Sequence, residues 1–144
     1  MHYFLEKITP YFEIVVFTSA LANYASAIVD YIDPQKKIIK YVMCRDRCLV
    51  TKNGVYIKDL RVLGNRDLND VLIVDNLTHN FCLQVDNGVP ILDYQDDPDD
   101  RELKYLADYL VKCAEAENMV EFNSKFLRLR ELLDFELIPK ERKN

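Results

Sequence analysis

Two stretches of the chain are almost wholly apolar and too short to be helices: FEIVVFT, Phe12 to Thr18, and VLIVDN, Val71 to Asn76. Apolar β-branched runs with little polar alternation are the pattern of strands buried on both faces, as in a parallel sheet. Between them, Leu21, Tyr24, Ala25, Ile28, Val29 and Ile32 recur at helical spacing over residues 19–32, and Asp33-Pro34 closes the run. Strand, short turn and helix make half of a βαβ unit. Ahead of the first strand, residues 2–10 read as the tail of a short helix, with Phe4, Leu5 and Ile8 apolar and Thr9-Pro10 ending it.

The pattern changes over residues 38–60. IIKYVMC, CLVTKNG and VYIKDL are short segments, and Lys52-Asn53-Gly54 supplies an Asn-Gly hairpin turn, so this region is expected to be a small antiparallel β insert. A polar link, RVLGNRDLND, leads into VLIVDN, and GVPIL, Gly88 to Leu92, is a third short strand. DDPDDRELKYLADYLVKCAEAE predicts a long amphipathic helix with Leu103, Leu106, Leu110 and Val111 on its stripe. Its acids crowd the first turn, where the helix macrodipole favours them. FNSKFLRLRELLDF predicts a last helix ending before Pro139. There are no repeats and no convincing boundary, so residues 1–144 are expected to form one α/β domain carrying the β insert.

Composition narrows the partners. At 144 residues the chain suits one domain with a real core, and 49% hydrophobic with 30% charged residues is globular usage. A net charge of -5 argues against a nucleic-acid partner, since phosphate backbones need a basic face, and gives no support for docking on anionic membrane. No apolar run is long enough to span a bilayer, which takes about 20 residues, and MHYFLEKITPYFEIVVF lacks the layout of a signal peptide. Cys44, Cys48, Cys82 and Cys113 form no CxxC pair, and His2 and His79 add no ligand spacing, so reduced thiols in a nuclear or cytoplasmic protein are expected.

The chemistry gathers where strands end. Ligands of open α/β sheets bind beyond the carboxyl ends of the strands. The first strand ends in Thr18-Ser19, whose hydroxyls and following backbone N–H groups make a phosphate seat; the bland alternative is an ordinary helix N-cap. VLIV ends in Asp75-Asn76, two oxygen donors suited to a hard cation, with an Asx-turn as the alternative. Lys58 of YIKDL can neutralise a phosphoryl oxygen, or merely pair with Asp59 at the surface.

YFEIVVFTSAL, YIDP, CRDRCLVTKNGVYIKDL and VLIVDN, in that order, resemble the catalytic domain of the NLI-interacting-factor-like phosphatases. These are the RNA polymerase II C-terminal-domain phosphatases, including the small and Dullard-like ones, of the haloacid dehalogenase superfamily. The resemblance covers nearly the whole chain, NGVPI and the closing KFLRLRELL included. It implies a Rossmannoid parallel sheet and Mg²⁺-dependent transfer of phosphate from phosphoserine or phosphothreonine of a protein to an aspartate. It matches Thr18 to the hydroxyl binding the phosphoryl group, Lys58 to the charge-compensating lysine, and Arg45 of CRDRC to an arginine near the phosphate. Asp75 and Asn76 match the pair that positions and ligates Mg²⁺.

Two departures stand out. Leu77-Thr78 replaces the Ser-Pro that commonly follows Asp-Asn, and no D-x-D-x-T, the motif bearing the nucleophile, occurs in the 144 residues. In the superfamily that motif ends the first, central strand, between the counterparts of FEIVVF and VLIVD. The chain therefore reads as an N-terminally truncated domain without its usual first central strand, with Mg²⁺ binding weak or lost and no turnover by this chain. Either the two flanking strands pair directly or a partner segment fills the place. Three origins fit: a shortened record of an active phosphatase, a non-catalytic phosphopeptide- or protein-binding paralogue, and a decayed remnant. A relative of the phosphatase-like subunit of the mitochondrial inner-membrane translocase, which shares FEIVVFTS and IKDL, is the alternative assignment.

Overall fold

A computed structural model describes residues 1–132. The first strand is β1, Ile14–Phe17, entered from the short helix α1, His2–Ile8, whose Leu5 and Ile8 are buried. The chain leaves β1 through helix α2, Ala22–Ile32, and returns in β2, Ile39–Met43, which pairs parallel to β1 with Val15 opposite Tyr41 and Phe17 opposite Met43. The return is held by Asp33 of YIDP: its carboxylate accepts from the backbone N–H groups of Lys37, Ile38 and Ile39 at 3.1, 2.7 and 2.8 Å. Those bonds, the one from Ile39 foremost, hold its carboxyl below the usual carboxylate range.

After a 3₁₀ turn, Arg45–Arg47, the two-residue strands β3, Leu49–Val50, and β4, Tyr56–Ile57, form an antiparallel hairpin. Gly54 turns it with φ +79°, a left-handed backbone that glycine adopts without steric cost. Two further 3₁₀ turns, Leu60–Val62 and Leu68–Asp70, lead to β5, Ile73–Asp75. The ten residues Thr78–Asn87 wind as 3₁₀ turns broken at Phe81 and Gln84, and β6, Gly88–Pro90, comes back parallel to β5. Helices α3, Glu102–Glu115, and α4, Met119–Leu127, finish the described chain, with Asn118 capping α4 by accepting from Glu121 N–H.

One core joins these parts. Ile8 of α1, Val89 of β6 and Leu106, Ala107 and Leu110 of α3 are buried together, and Ile14 of β1 and Val74 of β5 pack against them. A second cluster, Leu60, Ile73 and Phe81, lies behind the hairpin. A Cβ on Gly88 would fall inside the Phe81 ring, so the start of β6 has room only for hydrogen there.

The expected α/β architecture is present, a parallel-sheet core with a small antiparallel hairpin, but four local expectations change. The insert is smaller than residues 38–60: Ile39–Met43 belongs to the parallel sheet, and only β3 and β4 are antiparallel. A short β-rich run does not encode its direction; the α2 crossover does. The two apolar runs are not buried throughout, since all four residues of β1 are half-buried. They also do not pair: among the described residues β1 is bonded to β2, β5 to β6, and no strand lies between β1 and β5. Finally, the stripe of α2 faces outward in part, with Tyr24 65% exposed and only Ala25 fully buried. The predicted end of the last helix before Pro139 lies outside the described residues.

Candidate active site

The carboxyl end of β1 carries the first arm. Thr18 does not cap α2; its hydroxyl accepts from Ala20 N–H at 3.1 Å within the turn, and its own N–H donates to Met43 of β2 at 2.9 Å. The 3₁₀ turn Arg45–Arg47 folds back onto this end: Arg45 N–H donates to the Ala20 carbonyl at 3.1 Å and Arg45 Nε to the Ser19 carbonyl at 2.7 Å. The guanidinium lies over the Tyr56 ring, 5.1 Å from its centroid, and Arg45 makes no ion pair among the described residues. A planar cation held at Nε and stacked on one face keeps its terminal N–H groups for an anion.

The carboxyl end of β5 carries the second arm. Asp75 is buried, with a side chain 2% exposed, and its Oδ2 accepts from Lys58 Nζ, whose side chain is 12% exposed. Asp75 Oδ1 accepts from Leu77 N–H and from Asn80 Nδ2, both at 2.9 Å. So the strand end does form an Asx-type turn, and it simultaneously supplies a counter-ion to Lys58. Asn76 is exposed, and its Nδ2 donates to Asp93 Oδ1 at 2.5 Å. Lys58 pairs with Asp75 and not with Asp59, which is engaged by Arg61 and Gln84.

Cys48 sits at the first arm. Its thiol donates to the Thr18 carbonyl at 3.8 Å, and burial pushes the thiol up while the charges of Lys58 and Arg45 pull against that rise. The structure folds Arg45 onto the Thr18-Ser19 strand end through the Ser19 and Ala20 carbonyls, and pairs Lys58 with Asp75 at the end of β5. Asn76 stands outside this cluster on the solvent side. Cys48, Asn80, Tyr56 and Asp93 were not singled out by sequence as parts of a site. Their roles depend on a thiol, an amide and a ring arriving from elsewhere in the chain, which no local spacing announces.

The donors do not by themselves compose a magnesium site. Mg²⁺ demands a near-octahedral set of oxygens, yet both oxygens of Asp75 are taken by hydrogen-bond donors and an ammonium, and Asn76 offers a single amide oxygen. No group of three His, Cys, Asp or Glu side chains is arranged for a metal ion among the described residues. No helix of the described residues is long and apolar enough to cross a membrane.

With this geometry in view, the relatives are informative. The model of the NLI interacting factor-like phosphatases matches residues 1–120. The CTD small phosphatase-like protein 2 of Dictyostelium discoideum is 42% identical over 116 residues, 81% of this chain and 20% of that protein. The CTD small phosphatase-like protein 3 of Caenorhabditis elegans is 39% identical over 107 residues, 74% of this chain and 37% of that protein. The mitochondrial import inner membrane translocase subunit TIM50 of Kluyveromyces lactis is 40% identical over 104 residues, 72% of this chain and 21% of that protein. The chain thus spans between a fifth and two fifths of these relatives' lengths. Among solved structures, Fcp1, an essential RNA polymerase II CTD phosphatase, aligns with a TM-score of 0.55 at 23% identity, over 96% of this chain and 38% of that one.

Proposed function

The chain belongs to the NLI interacting factor-like phosphatase family, and from that premise we propose that its cluster seats the phosphate of a phosphoserine- or phosphothreonine-bearing protein segment. The carrying observation is that Arg45 is folded onto the Thr18-Ser19 strand end, bonded to the Ser19 and Ala20 carbonyls, with its guanidinium in no ion pair among the described residues. Arg45 offers a planar fork held ready by Ser19 and Tyr56, and Thr18-Ser19 offer hydroxyls at the strand end. Lys58 adds positive charge, part of it balanced by Asp75. Electrostatic positioning of this kind is most of what phosphoryl transfer asks of a protein.

Hydrolysis is another matter. The family's covalent step needs a carboxylate nucleophile, and no D-x-D-x-T motif stands in the sequence. On this reading the 144 residues seat a phosphate, and the covalent step needs a carboxylate that they do not supply in that motif. Loss of a nucleophile removes nearly all the rate enhancement of such a unit. Magnesium enters only as the cation the family resemblance implies, with Asp75 and Asn76 as the residues that would hold it; the donor count above supports no step through it. A partner segment adding an extended strand to β1 or β5 belongs to the same proposal: among the described residues each of these strands has one bonded neighbour, β2 and β6 respectively. A nuclear or cytoplasmic setting agrees with four cysteines that are all unpaired.

Calorimetric titration of the full chain with orthophosphate and with a phosphoserine peptide is the test. Arg45→Ala is exposed and leaves the core alone, so it should weaken both ligands about ten-fold, the value of a charge-assisted hydrogen bond. Equal affinity of Arg45→Ala and wild type would sink the proposal. A second reading, a translocase-type adaptor binding a polypeptide without a phosphate requirement, is favoured by the 40% identity to TIM50. It predicts equal affinity for the phosphorylated and unphosphorylated peptide.

A further inference from the structure

Asn80 stands where the β5 arm and the hairpin arm meet, and the family resemblance gave it no part. It is 8% exposed and sits in the 3₁₀ turns that follow β5. Its side-chain Nδ2 donates to Asp75 Oδ1 at 2.9 Å, and its backbone oxygen accepts from Lys58 N–H at 2.6 Å. One residue therefore holds the carboxylate through its side chain and the lysine through its main chain.

The consequence lies in the geometry of Asp75. A carboxylate rotates readily about its last torsion. Here Oδ1 is pinned by two donors, Leu77 N–H and Asn80 Nδ2, so Oδ2 is left facing Lys58 Nζ. Without the amide, one of the two pins is gone, and the ammonium loses a fixed counter-ion in a site where both partners are largely buried. Gln84 braces the same segment one turn later: its Oε1 accepts from Leu60 N–H and its Nε2 donates to Asp59 Oδ1, both at 3.0 Å. That brace acts beside Lys58 and not on its ammonium, so the orientation of the charge falls to Asn80.

We propose that Asn80 is a positioning residue: its amide locks the Asp75 carboxylate so that the Lys58 ammonium is held at the carboxyl end of β5. This rests on the phosphate-seating function proposed above. It is separable from it, because the hold on Lys58 exists with no phosphate present.

Three variants of the full chain decide it. Asn80→Leu keeps the branched shape and the backbone carbonyl, in a somewhat larger side chain, but removes the donor; Asn80→Ala removes both side-chain bulk and donor; Asn80→Ser keeps a short donor. Two readouts are compared at a temperature where each variant is folded. The first is the rate at which trinitrobenzenesulfonate modifies Lys58, located by peptide mass, with exposed Lys40 and Lys52 as internal controls. The second is orthophosphate affinity by calorimetry. Loss of a hydrogen bond to a charged group corresponds to about a ten-fold change. Both Asn80→Leu and Asn80→Ala should therefore label at Lys58 about ten-fold faster and bind orthophosphate about ten-fold more weakly. Asn80→Ser should recover part of both, and the control lysines should label at the wild-type rate throughout.

Folded Asn80→Leu with Lys58 labelling at the wild-type rate overturns the proposal, since packing without the donor would then suffice. Faster labelling of all three lysines together overturns it too, because that reports general loosening. Wild-type protein that fails to bind orthophosphate removes the phosphate seat, yet the Lys58 labelling rates still decide whether Asn80 holds the lysine.

Discussion

At the scale of single residues, the site depends on buried charges held by named donors, some adjacent in the chain and some distant. Asp59 shows the energetics most directly. Arg61 donates to both its oxygens, Gln84 adds a further bond, and together these lower its pKa from 3.8 to about 2. A carboxyl with a depressed folded pKa contributes stability that is fully present above its unfolded value and is lost as pH falls through the folded one. Thermal unfolding measured between pH 5 and pH 2 should show a loss beginning below pH 4. After allowance for the exposed Arg61 it should be on the order of 1–2 kcal/mol. Asp59→Asn should flatten that part of the profile. A profile of unchanged slope in Asp59→Asn would assign the acid loss to another group, such as Asp33, whose carboxyl is also held low.

Among the elements, β6 and α2 carry opposite lessons about what an apolar pattern can say. The contact between Gly88 and the fully buried Phe81 ring is a matter of volume, not of backbone freedom. Gly88→Ala should therefore destabilise by about 1–3 kcal/mol, the usual range for overpacking, as read from the shift in urea midpoint. An unshifted midpoint would mean that Phe81 has another rotamer available. The GVPIL run announced a strand, and the helical spacing of residues 19–32 announced α2; both are present. What the α2 pattern did not show is how little of its stripe would be covered. Periodicity reports which residues share a face, while burial depends on what is packed over that face. The same limit explains Ile39–Met43, whose composition said strand and whose return through the α2 crossover decided parallel.

For the whole molecule, the notable fact is that two parallel pairs, β1–β2 and β5–β6, are joined by a shared core and not by backbone bonds among the described residues. Leu110 sits in that core beside Val89, with Ile14 and Val74 packed against it. Leu110→Ala should cost about 2–5 kcal/mol, and amide exchange should speed up in β1 and β5 together. Faster exchange in only one pair would show that the two pairs are stabilised separately.

Residue types and their spacing were enough to mark the strand ends and to single out Thr18, Ser19, Lys58, Asp75 and Asn76 as candidates, and the resemblance that added Arg45 placed the chain in its family, because those signals are local. The α/β class followed likewise from short apolar runs separated by helical periodicity. Only the tertiary structure decided that Lys58 turns to Asp75 and not to Asp59, that Cys48 bonds Thr18, that Asn80 bonds Asp75, and that Asn76 faces Asp93 at the surface. Most of those are choices among donors and acceptors far apart in sequence. Buried polar groups must find partners at the folded distance, and the cost of leaving one unpaired selects the partner.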